Sequence, residues 1–132
     1  ALGSYHTNQW DIDSKSEVNQ KFVKDYVAKF GHMPSHFAQQ AYDGPRLLAA
    51  ALKATGGKFD DPMALMKAMR HTTYPSVRGP YKYNVNGIPI QDFFKREVVK
   101  NPDGKLWIKT VGVAVKDSKD PFWQECPDAS RL

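Results

Sequence analysis

The sequence predicts an α/β fold in a single unit. Apolar residues recur at helical spacing through the first half, whereas from Arg78 onward they follow strand patterning around two strong turn sequences, Asn86-Gly87 and Asn101-Pro102-Asp103-Gly104. Length and composition agree: 132 residues with 41% hydrophobic and 25% charged side chains match one globular unit rather than a disordered or collagen-like chain.

The elements follow in order. Residues 1–13 carry Tyr5, His6 and Trp10 in irregular alternation, which predicts a short strand and an aromatic loop. Ser14-Lys15-Ser16-Glu17 has capping-box spacing, and Val18, Phe22, Val23, Tyr26, Val27 and Phe30 then form one apolar helical face that Gly31 ends. Burying those six side chains is worth on the order of 10 kcal/mol before chain entropy is subtracted, so the face requires a substantial partner surface. After Pro34, Ser35 is the expected cap of a second, Ala-rich helix running from Phe37 to Leu52. Gly44-Pro45 predicts a kink or a restart there, with Asp43 as the new cap, because proline lacks the amide donor. Gly56-Gly57 closes this segment. Asp60 or Asp61 then caps a third helix with Pro62 in its first turn and Met63, Leu65, Met66 and Met69 on its apolar side. Tyr81 and Tyr83 alternate on a strand, Ile88 to Lys100 is extended, and Leu106, Ile108, Val111, Val113 and Val115 make a returning strand with a break expected at Gly112. The tail from Asp117 to Leu132 shows no period, and no internal repeat or linker divides the chain.

No apolar run approaches the ~20 residues of a membrane-spanning helix, and Ala1-Leu2-Gly3-Ser4-Tyr5 lacks the basic and apolar regions of a signal peptide. The formal charge of +5 permits anionic partners, yet the nineteen Lys and Arg never form a block. Cys126 is the only cysteine, so neither an intrachain disulfide nor a cysteine-rich zinc cluster is expected. No enzyme is expected: no nucleophile-base pair, paired acids or phosphate-binding glycine loop stands out. Nor is a metal or other cofactor. His32 and His36 are four apart with Pro34 between them and no third ligand, and Asp11-Ile12-Asp13 opens like a calcium loop but has Ser16 at the glycine position and Phe22 at the glutamate position. Tyr81-Lys82-Tyr83 and Phe93-Phe94-Lys95-Arg96 interleave aromatic and basic residues, an alternative pattern for a nucleic-acid module, although half-buried strands with solvated charges read the same way and are preferred.

The order of the pieces resembles the C-terminal part of type I periplasmic solute-binding proteins, which serve ABC importers of branched-chain amino acids and related acids. The residues that carry the resemblance are Asn19-Gln20-Lys21-Phe22-Val23, Tyr26 through Pro34, Ala41-Tyr42-Asp43 leading into Leu47 through Leu52, Asp60-Asp61, Arg78 through Tyr83, Asn86-Gly87, Pro89-Ile90-Gln91-Asp92 and Glu125-Cys126-Pro127. Gly44-Pro45 departs from the Ala-like residues common in that family. The resemblance implies a fold of two Rossmann-like lobes joined by a hinge, with residues 1–132 forming the C-terminal fragment and the first part missing. Family members are two to three times as long, so the fragment would rest on the missing half or on a second chain, or expose an apolar patch.

The resemblance further implies binding rather than chemistry: a small carboxylate such as a branched-chain amino acid or aromatic acid held between the lobes, a periplasmic location, and delivery to an ABC permease in the membrane. It makes Phe37 the aromatic residue that packs on the ligand. His36, Gln39 and Gln40 lie beside it at a helix N-terminus suited to a carboxylate, and Tyr5 is a further candidate near the crossing into the first helix. Read from the residues alone, Phe37 serves equally as a core anchor and the glutamines as solvated side chains.

Overall fold

The computed structural model describes residues 1–127, so the last five residues of the aperiodic tail lie outside the described residues. The element order is β1 (Tyr5–Asn8), α1 (Glu17–Phe30), α2 (His36–Ala54), α3 (Pro62–His71), β2 (Lys82–Tyr83), β3 (Pro89–Lys100) and β4 (Leu106–Ser118), followed by one 3₁₀ turn at Trp123–Glu125.

The sheet is antiparallel throughout, with β3 at its centre. One edge of β3 takes β4. The other takes β1 against Phe94–Glu97 and β2 against Pro89–Ile90, end to end. Two turns made by local chemistry set this register. Gly87, at φ 80°, donates to the Asn84 carbonyl, and Asn101 both accepts from the Gly104 amide and exchanges a bond with Lys105. Lys95 faces Gly112 while Arg96 faces Thr110, so Val111 is the extra residue of a bulge. The predicted break therefore falls one residue before Gly112.

α1 begins at Glu17 with Ser16 as its cap residue, and the expected capping box at Ser14 does not form. The reason is Asn19, whose side-chain amide donates to the carbonyls of Ile12 and Ser14 while accepting the indole N–H of Trp10 at 2.8 Å. That buried clamp fixes Ser14 outside the helix, and its hydroxyl meets only Ser16. Gly31 ends the helix in the left-handed region, φ 72°, as its position predicts.

α2 is capped by the Ser35 hydroxyl, which accepts from the Ala38 amide. It then runs unbroken to Ala54 through Gly44 and Pro45, contrary to the expected restart. Asp43 does not cap. Its carboxylate accepts from Ser76 Oγ at 2.6 Å and from the Val77 amide, while Arg46 donates to the Pro75 carbonyl. Tertiary bonds on both sides of the proline thus hold the helix to the 75–77 segment and outweigh one lost amide donor. α3 starts as predicted, with Asp61 Oδ1 accepting from Met63 and Ala64.

The core is small. Trp10, Ile12, Phe22 and Val77 are its buried members, with Val18, Val23, Tyr26, Met33, Ala38 and Trp107 around them. Trp10 meets Phe22 edge-on at 5.9 Å. Much apolar surface stays outside: Phe30, Phe59, Val113 and Val115 are each more than half exposed. An apolar patch is what the fragment reading anticipates.

Candidate ligand-binding site

The expected site gathers at the start of α2. Ser35 holds the first turn, whose free backbone N–H groups and positive dipole end form a surface that favours an anion. His36 and Phe37 lie there together, ring centroids 3.9 Å apart, and Phe37 is 68% exposed. Phe37 is not a core anchor among the described residues: it offers a ring to whatever approaches this end of the helix. His6, on β1, is close enough to His36 to feel its charge. Partial burial pulls the His6 imidazole below its ordinary value, and the Arg96 and His36 charges add to that.

The other three expected residues diverge. Tyr5 alternates with His6 along β1, so it projects from the opposite face, where the Lys95 ammonium sits 4.2 Å from its ring centroid. The fold does not bring it to His36 and Phe37. Gln39 is buried rather than solvated, because its Nε2 donates to Asp43 in the network that ties α2 to residues 76–77. Gln40 is exposed on the flank of the helix and lines, with Gln39, a hollow of about 140 Å³ that reaches Arg78 and Tyr81. His32 lies outside α2 with Nδ1 at 3.0 Å from the Met33 carbonyl, so it shares no helical face with His36.

Sequence reasoning read Tyr81 and Tyr83 only as an alternative nucleic-acid surface and did not join them to Arg78 and Tyr74 as a small-molecule site. The Arg78 guanidinium stacks 3.6 Å from the centre of the Tyr81 ring, and the Tyr74 and Tyr81 hydroxyls are 3.0 Å apart. A cleft of about 430 Å³ opens beside them, lined by Leu47, Arg70, His71 and the three tyrosines among others. Burial, helped by a hydrogen bond to Tyr81, pushes the Tyr83 phenol up to about 12; burial also raises Tyr81. These phenols are neutral donors at any ordinary pH. The only signal in the sequence was the Arg78–Tyr83 run itself. The bonds that hold the start of this segment to α2, from Ser76 and Val77 to Asp43, span 33 and 34 residues, a separation that no local pattern covers.

Comparison with known proteins now bears on the arrangement. A family model described as periplasmic binding protein matches residues 1–104. The chain belongs to the periplasmic binding protein family. A Leu/Ile/Val-binding protein homolog 6 from Brucella abortus is 32% identical over 114 residues, covering 84% of this chain and 29% of that protein. Among solved structures, an ABC-transporter solute-binding protein from R. palustris in complex with benzoate superposes with TM-score 0.77 at 32% identity, covering 91% of this chain and 32% of that one. A second, from Rhodopseudomonas palustris BisB5 in complex with 3,4-dihydroxybenzoic acid, gives 0.77 at 34% identity, covering 92% and 33%. The chain therefore spans about a third of the length of the periplasmic binding proteins it matches. The α/β fold expected from the sequence is that of a fragment of the type I family fold. The family resemblance read from the sequence is the one these matches show. Nothing found here supports the nucleic-acid alternative. Tyr81 and Tyr83 are half-buried and pack edge-on at 5.5 Å, rather than standing free as a platform for bases.

Proposed function

We propose that residues 1–132 are the C-terminal part of a solute-binding protein of an ABC importer, which holds a small carboxylate between two lobes and delivers it to a membrane permease from the periplasm. The observation that carries this reading is the exposed Phe37 ring beside His36 at the N-terminus of α2, in a chain of this family. Apolar contact with Phe37 suits the body of an aromatic or branched-chain acid, and the N–H groups and dipole of the helix end suit its carboxylate. No bond to the ligand forms or breaks. Binding to one lobe would favour closure of the other over it, so the closed form would be what the permease meets.

The relatives bear on ligand class in two directions: benzoates occupy the two aligned solute-binding proteins, and the curated relative carries a Leu/Ile/Val-binding name. Because the aromatic side chain offered here is a single flat ring next to an imidazole, an aromatic carboxylate is the first choice and a branched-chain amino acid the second.

Calorimetric titration of the full-length protein with benzoate and with leucine tests this. Phe37→Ala should weaken the preferred ligand by roughly ten- to hundredfold, the worth of one buried aromatic contact. A folded full-length protein that bound neither acid, or whose affinity ignored Phe37→Ala, would remove the proposal.

A further inference from the structure

We propose that Arg78, Tyr81 and Gln39 form a second site, for a small carboxylate that also carries a hydrogen-bond donor, on the flank of α2 and separate from the start of that helix.

Arg78 lacks an anion among the described residues. Arg78 is partly buried, its Nε is shielded from solvent, and among the described residues its guanidinium has neither a hydrogen-bond acceptor nor an ion-pair partner. Asp43, a buried carboxylate that lines the same hollow, is committed to Gln39, Ser76 and the Val77 amide. Asp92 lines the small hollow on the other side of Arg78, yet its carboxylate receives the Asp117 amide and no ion pair joins it to Arg78. Guanidinium groups withdrawn from water are costly without acceptors, so a carboxylate placed there gains more than it would at a solvated lysine. Stacking on Tyr81 fixes the plane of the fork and thereby the approach of a planar acid.

Gln39 supplies the second, independent observation. It is 1% exposed, and with Nε2 held by Asp43 its Oε1 has no donor among the described residues. Both residues line the same hollow, so an acceptor in want of a donor and a cation in want of an anion share one space. A ligand that satisfies both carries a carboxylate and a hydroxyl or ammonium group. The hollow shares Leu47, Tyr74, Tyr81 and Tyr83 with the adjoining cleft of about 430 Å³, which has room for an apolar or aromatic body. Neither hollow is lined by His36 or Phe37, so this site is distinct from the one proposed above and does not depend on it.

The experiment uses the full-length protein titrated with 4-hydroxybenzoate, and with 4-hydroxybenzyl alcohol as the uncharged control. In a Phe37→Ala background, which weakens the start of α2 without touching this hollow, 4-hydroxybenzoate should still bind while the alcohol does not, and the Arg78 variants assign that binding to the second site. Adding Arg78→Met should weaken that binding roughly ten- to hundredfold, as loss of a charge-assisted hydrogen bond does. Should Arg78→Met fail to fold, Arg78→Lys replaces it; the charge stays but the stacked fork is lost, and the same direction is expected. The proposal is overturned if the Phe37→Ala protein binds no 4-hydroxybenzoate, if the alcohol binds equally well, or if the folded Arg78 variant binds as tightly as its parent. Because wild type against Phe37→Ala tests the first site and Arg78 tests the second, either can fail alone.

Discussion

Trp10, Asn19 and the carbonyls of Ile12 and Ser14 form a closed set of buried polar partners at the entrance to α1. Asn19 is 0% exposed, so truncating it strands an indole N–H and two carbonyl groups away from water. Each stranded group costs about 1–3 kcal/mol, with partial relief by relaxation. Asn19→Ala is therefore expected to destabilise the full-length protein by about 3 kcal/mol, read as a shift in the urea midpoint; a change under about 0.5 kcal/mol would show that the clamp is dispensable. Tyr83 gives a pH-dependent counterpart. Its folded-state value, about 12, lies above the ordinary phenol value of 10.0, so the fold favours the neutral form. The corresponding stabilisation is complete below pH 10 and disappears as pH rises from there to about 12. An ultraviolet titration of phenolate should show at least one tyrosine ionising late, and unfolding midpoints should fall across that window. Tyr83→Phe should remove one late ionisation and leave that of Tyr81, whose phenol burial also raises. At this scale the sequence was readable where chemistry is local. Ser35 and the Asp60-Asp61 pair announce caps by residue type and position, whereas Gln39 looks like an ordinary surface residue until Asp43, held by Ser76, draws it inward.

α2 shows how an element can override the residues that compose it. Gly44 and Pro45 predict a kink or a restart because each disfavours a helix interior, yet the helix does not restart, held by Asp43 on one side of the proline and Arg46 on the other. Both anchors reach the 75–77 segment, so the continuity was hidden from any reading of neighbouring residues. β4 teaches the same lesson. Glycine marked the neighbourhood of the break, but the bulge falls at Val111, where pairing with β3 rather than glycine's freedom sets the slip. The helix also makes a prediction of its own. Gly44 has no positive φ, and a Cβ built there meets nothing within 4 Å. Gly44→Ala should then stabilise the full-length protein by about 0.5–1 kcal/mol, by narrowing the unfolded ensemble without strain in the fold. Differential scanning calorimetry checks it; a lower melting temperature would mean that the flank of α2 beside Gly44 is occupied in the longer protein.

Across the whole molecule, the balance of covered and uncovered surface follows from how little of the family fold is present. The main core cluster has four buried apolar residues, while among the described residues the far edge of β4 has no strand beside it and Val111, Val113 and Val115 are 43%, 55% and 51% exposed. An unpaired strand edge next to apolar side chains invites association with another chain. The relatives are about three times as long, and in them the remaining chain is available to cover the equivalent surfaces. The 132-residue chain alone is accordingly expected to bind a hydrophobic dye and to elute above monomer size at micromolar concentration. Val113→Lys with Val115→Lys should shift that elution toward the monomer, since charge on an exposed face opposes edge-to-edge pairing. In the full-length protein the same pair should act in the opposite sense and lower stability by about 1–3 kcal/mol, because there it would place ammonium groups against covering residues. Light scattering on the short chain and calorimetry on the long one read the two effects separately. A short chain that is monomeric and dye-silent, or a long one indifferent to the two lysines, would mean that this face needs no cover and that the fragment is complete in itself.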